Sequence, residues 1–257
     1  MASDKQQAHG EGTKAFRGKA RSNQTGAKCL VLGLSGGLDS ATMATLIATS
    51  EVDIPLRLYW LPYHTSEPEN FEDAKMLAAH LECELQIIDI ADVVDAARKI
   101  WLVNDNVRVG NLAARARMMA LFDASAEHGG VVVGTSNLSE VCLGYGTLHG
   151  DMACAFNPLG RLFKTELRQV GPELGIPEKF LKKVPTADLW KGQTDELELG
   201  FSYEDADKVL YLYVRVGLNR KQIAEEVGDR ALVDKVLDRT EKYKFKSQIA
   251  PVGPSPV

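Results

Sequence analysis

Cysteine is scarce in this chain, four among 257 residues, and Cys29, Cys83, Cys142 and Cys154 show neither C-x-x-C spacing nor a paired histidine pattern. That argues against a disulfide framework or a structural zinc site, and buried, reduced thiols in a cytoplasmic protein are the plainer reading. No apolar run approaches the roughly 20 residues of a membrane span. The opening Met1-Ala2-Ser3-Asp4-Lys5-Gln6-Gln7 lacks the apolar stretch of a secretory signal. Basic charge is not in excess either: the formal net charge is -5, which argues against a non-specific nucleic-acid surface while leaving room for a local basic patch. Repeats of solenoid period are absent. What remains, 45% hydrophobic and 25% charged residues, belongs to a globular chain long enough to bury one substantial core, with or without a small helical appendage.

The chain is organised around Val31-Leu32-Gly33-Leu34-Ser35-Gly36-Gly37-Leu38-Asp39-Ser40-Ala41-Thr42. A short apolar run, a glycine-rich turn and an alanine-rich continuation predict strand, loop and helix start, an arrangement that turns backbone N–H groups toward an anion. Gly36 and Gly37 allow positive φ and close approach of a ligand; Ser35 and Ser40 add hydroxyls. The Lys-Ser/Thr of a Walker loop is missing, and so is the third glycine of the dinucleotide fingerprint. Ser35-Gly36-Gly37-Leu38-Asp39-Ser40 instead resembles the pyrophosphate loop of the ATP pyrophosphatases, which cut ATP between its α and β phosphates. An acid in a phosphate loop repels the ligand unless a divalent cation lies between them, which makes Asp39 a candidate metal ligand. Taken alone, Asp39 or Ser40 would read equally as a helix N-cap.

Residues 1–27 form a polar tail with little to bury beyond Phe16. Helices are predicted over 41–50, 71–81 and 110–128, and strands over 56–61, 84–90 and 131–133. Strands alternating with helices predict an α/β fold: a doubly wound parallel sheet of about five strands flanked by helices, with right-handed crossovers. Beyond Glu140 the pattern becomes helical, with segments near 164–174, 177–183, 203–213, 219–227 and 231–244, so the α/β domain with its C-terminal helical portion spans 28–250. Thr186 to Leu199 is polar and without period, a candidate lid. The proline-rich 251–257 reads as an extended tail.

With Gly134-Thr135-Ser136-Asn137-Leu138-Ser139-Glu140 the chain resembles ammonia-dependent NAD synthetase. The resemblance runs from about residue 24 to 250 through Asn111-Leu112-Ala113-Ala114-Arg115-Ala116-Arg117-Met118, Gly150-Asp151, Asn157-Pro158, Phe163-Lys164-Thr165, Pro185-Thr186-Ala187-Asp188-Leu189 and Gly192-Gln193-Thr194-Asp195-Glu196. It implies a ligase in which the carboxylate of deamido-NAD attacks the α-phosphate of ATP, pyrophosphate leaves, and ammonia displaces AMP to form the amide. By the same resemblance ATP would meet Gly33, Leu34, Ser35, Gly36, Gly37, Leu38, Asp39, Ser40, Thr135, Lys164 and Thr186. Deamido-NAD would meet Asn111, Arg115, Asp151 and Lys246, magnesium would be held by Asp39 and Glu140, and Asp39, Lys164 and Asp151 would carry the catalysis. A homodimer is implied, with 110–128 a reasonable interface. No glutaminase segment is expected ahead of the loop, so ammonia would come from solution or from a separate glutaminase.

Three positions depart from the family pattern: Leu148 replaces a lysine, Ala155 an aspartate, and Phe245-Lys246-Ser247 a His-Lys-Arg run. All three belong to acceptor recognition, so the acceptor is expected to bind more weakly than usual or to be a related carboxylate, with His149, Arg161 or Lys244 as possible substitutes. Two other classes of function stand beside this one. Leu218 to Gly228 reads like the start of a helix-turn-helix, but 229–240 balances its acidic and basic residues, which weakens the electrostatic term that DNA binding needs. A nucleotide sensor without turnover would also use the loop.

Overall fold

A computed structural model of the chain describes residues 26–50, 54–186, 188, 190 and 192–248. The tails expected at 1–27 and 251–257 therefore fall almost wholly outside the described residues.

In chain order the elements that carry the sheet are β1 (Leu30–Gly33), α1 (Leu38–Ala48), β2 (Leu56–Trp60), α2 (Pro68–His80), β3 (Leu85–Ile87), α3 (Ala91–Ile100), α4 (Asn106–His128) and β4 (Val131–Val132). The strands pair in the order β3-β2-β1-β4, all parallel, with Leu30 opposite both Leu56 and Val131 and Leu58 opposite Leu85. About five strands were expected; among the described residues the sheet has four, and an isolated parallel bridge joins Val133 to Phe156.

Side chains alternate across β1 as a two-residue period requires. Leu30 and Leu32 enter one core with Met43 and Ala44 of α1, Leu58 of β2 and Leu77 of α2. Cys29 and Val31 enter the other with Tyr59, Val94 of α3, Ala113 of α4 and Val132. Helices thus cover both faces of the sheet.

Several helix starts lie earlier than periodicity suggested, and each has a local cause. Pro68 opens α2 at a position where its missing N–H costs nothing. Asp105 caps α4 by accepting from Arg108 N at 2.8 Å, adding a turn before Gly110, and Gly129 closes it in a left-handed conformation. The helix α3 was not expected; it packs Val94 into the core and leaves Val93 and Ile100 exposed.

The remaining helices are α5 (Leu138–Leu143), α6 (Lys164–Val170), α7 (Glu178–Lys182), α8 (Asp195–Leu199), α9 (Tyr203–Leu210), α10 (Arg220–Val227) and α11 (Arg230–Tyr243). A third core gathers Leu143, Phe163, Tyr203, Leu210, Ile223, Val233 and Val236 from this helical portion. The stretch from Thr186 to Leu199 is not without structure: its last turn is α8, capped by Thr194 and stopped by left-handed Gly200. The helix-turn-helix-like stretch does form two helices. Arg220 ties α10 to the acidic side of α11 through Asp234 at 3.1 Å and Asp238 at 2.6 Å. No helix among the described residues is long and apolar enough to cross a membrane.

Candidate active site

Strand order reverses between β1 and β4, and the crevice at that reversal is where open α/β sheets take ligands. The turn after β1 and the segment after β4 border a cleft of about 480 Å³. The loop is shaped by its own hydroxyls: Ser40 Oγ accepts from Ser35 N at 3.1 Å and donates to the Gly37 carbonyl at 3.1 Å, while the two serine hydroxyls stand 3.0 Å apart. Neither Asp39 nor Ser40 is the helix N-cap; Gly37 occupies that position without a side-chain bond. Gly36 has φ of +74°, and a Cβ there would stand 2.2 Å from the Asn70 carbonyl oxygen. Only glycine fits.

Asp39, in the first turn of α1, meets two residues brought from beyond β4. Its Oδ2 accepts from Lys164 Nζ at 2.7 Å and from Asn137 Nδ2 at 3.2 Å. Its Oδ1 is buried without a partner. Glu140 is placed by a capping box in which Asn137 Oδ1 accepts from Glu140 N at 2.9 Å and Glu140 Oε2 accepts from Asn137 N at 3.2 Å. Its other oxygen lies 3.6 Å from Lys164 Nζ.

Burial and then the neighbouring Asp39 push the Glu140 carboxyl well above its ordinary range, with Lys164 opposing. Burial alone would lower Lys164, but Asp39 and Glu140 outweigh it and hold the ammonium above its usual value. Two carboxylates facing one ammonium, with one oxygen orphaned, fit a divalent cation whose other ligands are phosphate and water oxygens. Among the described residues no larger set of protein ligands completes such a site.

Lys164 owes its position to a buried aspartate in the helical portion. Asp207 of α9 accepts from Ser139 Oγ at 2.5 Å, from Thr165 N at 3.0 Å and from Thr165 Oγ1 at 2.8 Å, and Ser139 Oγ in turn accepts from Lys164 N at 2.9 Å. The starts of α5 and α6 are thereby held together. Asp195, 4% exposed, accepts from Tyr203 OH at 3.1 Å and also lines the cleft.

Of the residues singled out in the sequence, Gly33, Leu34, Ser35, Gly37, Leu38, Asp39, Ser40, Thr135, Glu140, Lys164 and Thr186 line this one cleft, and so do Asn111, Asp151 and Lys246. Asn111 accepts from Thr147 Oγ1 at 2.8 Å, and Asp151 accepts from Thr147 N at 2.8 Å. Asp151 keeps surface open to the cleft but is ringed by protein, and that desolvation raises its carboxyl. Lys246 donates to the carbonyls of Gly144 and Gly146, at 2.8 and 2.7 Å, which uses two of its three N–H groups.

Two expected residues do not reach the wall. Gly36 does not line the cleft itself, but its carbonyl accepts from Lys183, which does. Arg115 is exposed on α4, donating to the Leu148 carbonyl at 3.3 Å outside the cleft. Leu148 and Ala155, the altered positions, do not line the cleft either.

Sequence reasoning passed over Arg117, whose Nε donates to the Leu61 carbonyl at 2.9 Å from within the cleft lining, although it stands two residues from Arg115 in the same motif. It also passed over Asp207, whose signal was a charge on the buried stripe of α9 beside Tyr203, Ala206 and Leu210.

A NAD synthase family profile matches residues 16–250. The NH(3)-dependent NAD(+) synthetase of Trichlorobacter lovleyi is 41% identical over 226 residues, covering 88% of this chain and 83% of that one. Among solved structures, the NH3-dependent NAD synthetase of Campylobacter jejuni superposes with a TM-score of 0.80 at 34% identity, covering 95% of this chain and 98% of that one. An NMN synthetase from Francisella tularensis superposes at 0.78 with 29% identity, covering 95% and 97%. With the profile spanning nearly the whole chain and the relatives matching along most of theirs, the chain belongs to the NAD synthase family.

Proposed function

We propose that the protein is an ammonia-dependent NAD synthetase, converting deamido-NAD, ATP and ammonia to NAD, AMP and pyrophosphate. The observation that carries this is the buried Asp39–Lys164–Glu140 cluster at the base of a glycine-rich loop, which combines an anion cradle with a cation site. The loop amides and Lys164 hold the phosphates, and Thr135 and Thr186 border the nucleotide. Asn111, Asp151 and Lys246 take the acceptor. Asp39 and Glu140 would hold magnesium, which when bound would neutralise charge gathering on the departing pyrophosphate.

The protein is read as a cytoplasmic homodimer fed by free ammonia or a separate glutaminase. Supporting the dimer, Val93 and Ile100 of α3, Trp101 and Leu102 just after it, and Val107, Met119 and Phe122 of α4 expose their apolar side chains, and α4 also carries the exposed Arg115.

The test is AMP release from ATP with magnesium, ammonia and a panel of carboxylates. Deamido-NAD is expected to support the highest kcat/KM, with AMP and pyrophosphate formed together. The NMN synthetase among the structural neighbours makes the corresponding mononucleotide acid the comparison acceptor. Faster turnover of that acid would move the assignment to it, and ATP binding without AMP release would sink the enzyme altogether.

A further inference from the structure

Asp73 of α2 is 1% exposed, and two lysines meet it: Lys179 Nζ lies 2.6 Å from Oδ1 and Lys183 Nζ 2.5 Å from Oδ2. One buried carboxylate needs one cation, because the cost falls on whichever charge is left alone. Lys179, half exposed and also 3.2 Å from Glu69, neutralises Asp73 on its own, so Lys183 is not required for that charge. It also donates to the Gly36 carbonyl at 2.9 Å, at the left-handed turn of the phosphate loop, and it lines the cleft. Should its ammonium swing away, Asp73 keeps Lys179 and no buried charge is stranded.

The other lysines lining the cleft among the described residues are not so placed. Lys164 is shared by Asp39 and Glu140, and Lys246 is held by two carbonyls. Lys183 stands three residues before Thr186, on the strand of chain that closes the cleft beside the loop.

We propose that Lys183 is a further binding residue for the terminal phosphates of ATP and for the pyrophosphate released from them, exchanging Asp73 for phosphate oxygens when the nucleotide is present. The inference rests on the ATP-cleaving function proposed above. It is tested without turnover, by calorimetric titration of inorganic pyrophosphate with magnesium into the full chain. Lys183→Met is expected to weaken binding about ten- to a hundredfold, the range of one charge-assisted hydrogen bond, and Lys183→Arg to recover most of it. Asp73→Asn, which frees the lysine, is expected to bind at least as tightly as the native chain.

Unchanged affinity in Lys183→Met overturns the proposal. So does an Asp73→Asn variant as weak as Lys183→Met, which is the result if Lys183 only braces Gly36. Where methionine lowers Tm, Lys183→Gln keeps a donor for the Gly36 carbonyl and decides the matter in the same way. AMP formation from ATP and deamido-NAD on the same preparations keeps the two ideas apart. Turnover in the native chain with no effect of Lys183 on pyrophosphate overturns the lysine alone, and no turnover in the native chain overturns the function.

Discussion

At Asp39, Lys164 and Glu140 two carboxylates share one ammonium, at 2.7 and 3.6 Å, and the second oxygen of Asp39 has no partner. Asp39→Asn and Glu140→Gln are each expected to lower turnover by about a hundredfold or more, the scale of a lost metal contact in phosphoryl chemistry. Both should still fold cooperatively, with Asp39→Asn at a lower Tm because the buried Lys164 ammonium then keeps only the more distant Glu140. Because Glu140 holds its proton more tightly folded than unfolded, its contribution to stability declines as pH rises above the ordinary value of 4.5. Glu140→Gln should therefore melt above the native chain, by a margin that widens as pH rises above the ordinary carboxylate value. A variant that melts below the native chain at neutral pH would mean that the carboxylate serves the fold. The same raised carboxyl is expected to set the acid limb of activity. Magnesium held there would compete with the proton for that carboxylate, so raising magnesium should shift the limb to lower pH, whereas a limb indifferent to magnesium would remove Glu140 from the cation site.

At the scale of elements, the phosphate loop and the segment from Thr186 are both fastened to the start of α2. Asp188, at φ of +52°, accepts from Asn70 Nδ2 at 2.7 Å and from Glu67 N at 3.2 Å. Asp188→Gly keeps the backbone conformation and removes the latch. Limited proteolysis should then cut faster between 186 and 194, and ATP with acceptor should slow the cutting less than in the native chain; identical cutting patterns would show that Asp188 does not fasten the segment. Gly36→Ala is the complementary change, since its Cβ would collide with the Asn70 carbonyl. It should raise the KM for ATP at least tenfold while the melting curve stays cooperative, and an unchanged KM would mean that the loop yields without loss. The starts of α2, α4 and α5 were hard to read in the sequence because Pro68, Asp105 and Asn137 act through caps outside the apolar period. The loop itself was legible because glycine, serine and aspartate in that order leave few alternatives.

Across the whole molecule, the apolar side chains left exposed at the end of α3 and in the turn after it include Ile100 at 73%, Trp101 at 60% and Leu102 at 80%. Replacing Trp101 and Leu102 together by glutamate should convert a dimer to a monomer in sedimentation, leaving Tm within a few degrees and raising the KM for deamido-NAD more than that for ATP. A native chain that sediments as a monomer would instead confine the site to one chain.

Composition, the glycine-rich turn and the alternation of strand and helix were enough to determine an α/β chain with an anion cradle after its first strand and a helical portion after its last. Those signals act within a few residues, where periods of 2 and 3.6 and turn chemistry decide conformation. Which acid meets which cation was decided by tertiary structure. Asn137 and Lys164 reach Asp39 from 98 and 125 positions away, and Lys183 reaches Asp73 from 110. No local pattern reports such a separation: these pairs exist because β4 inserts beside β1 and because the helical portion, through Asp207, holds Lys164 over the gap between them.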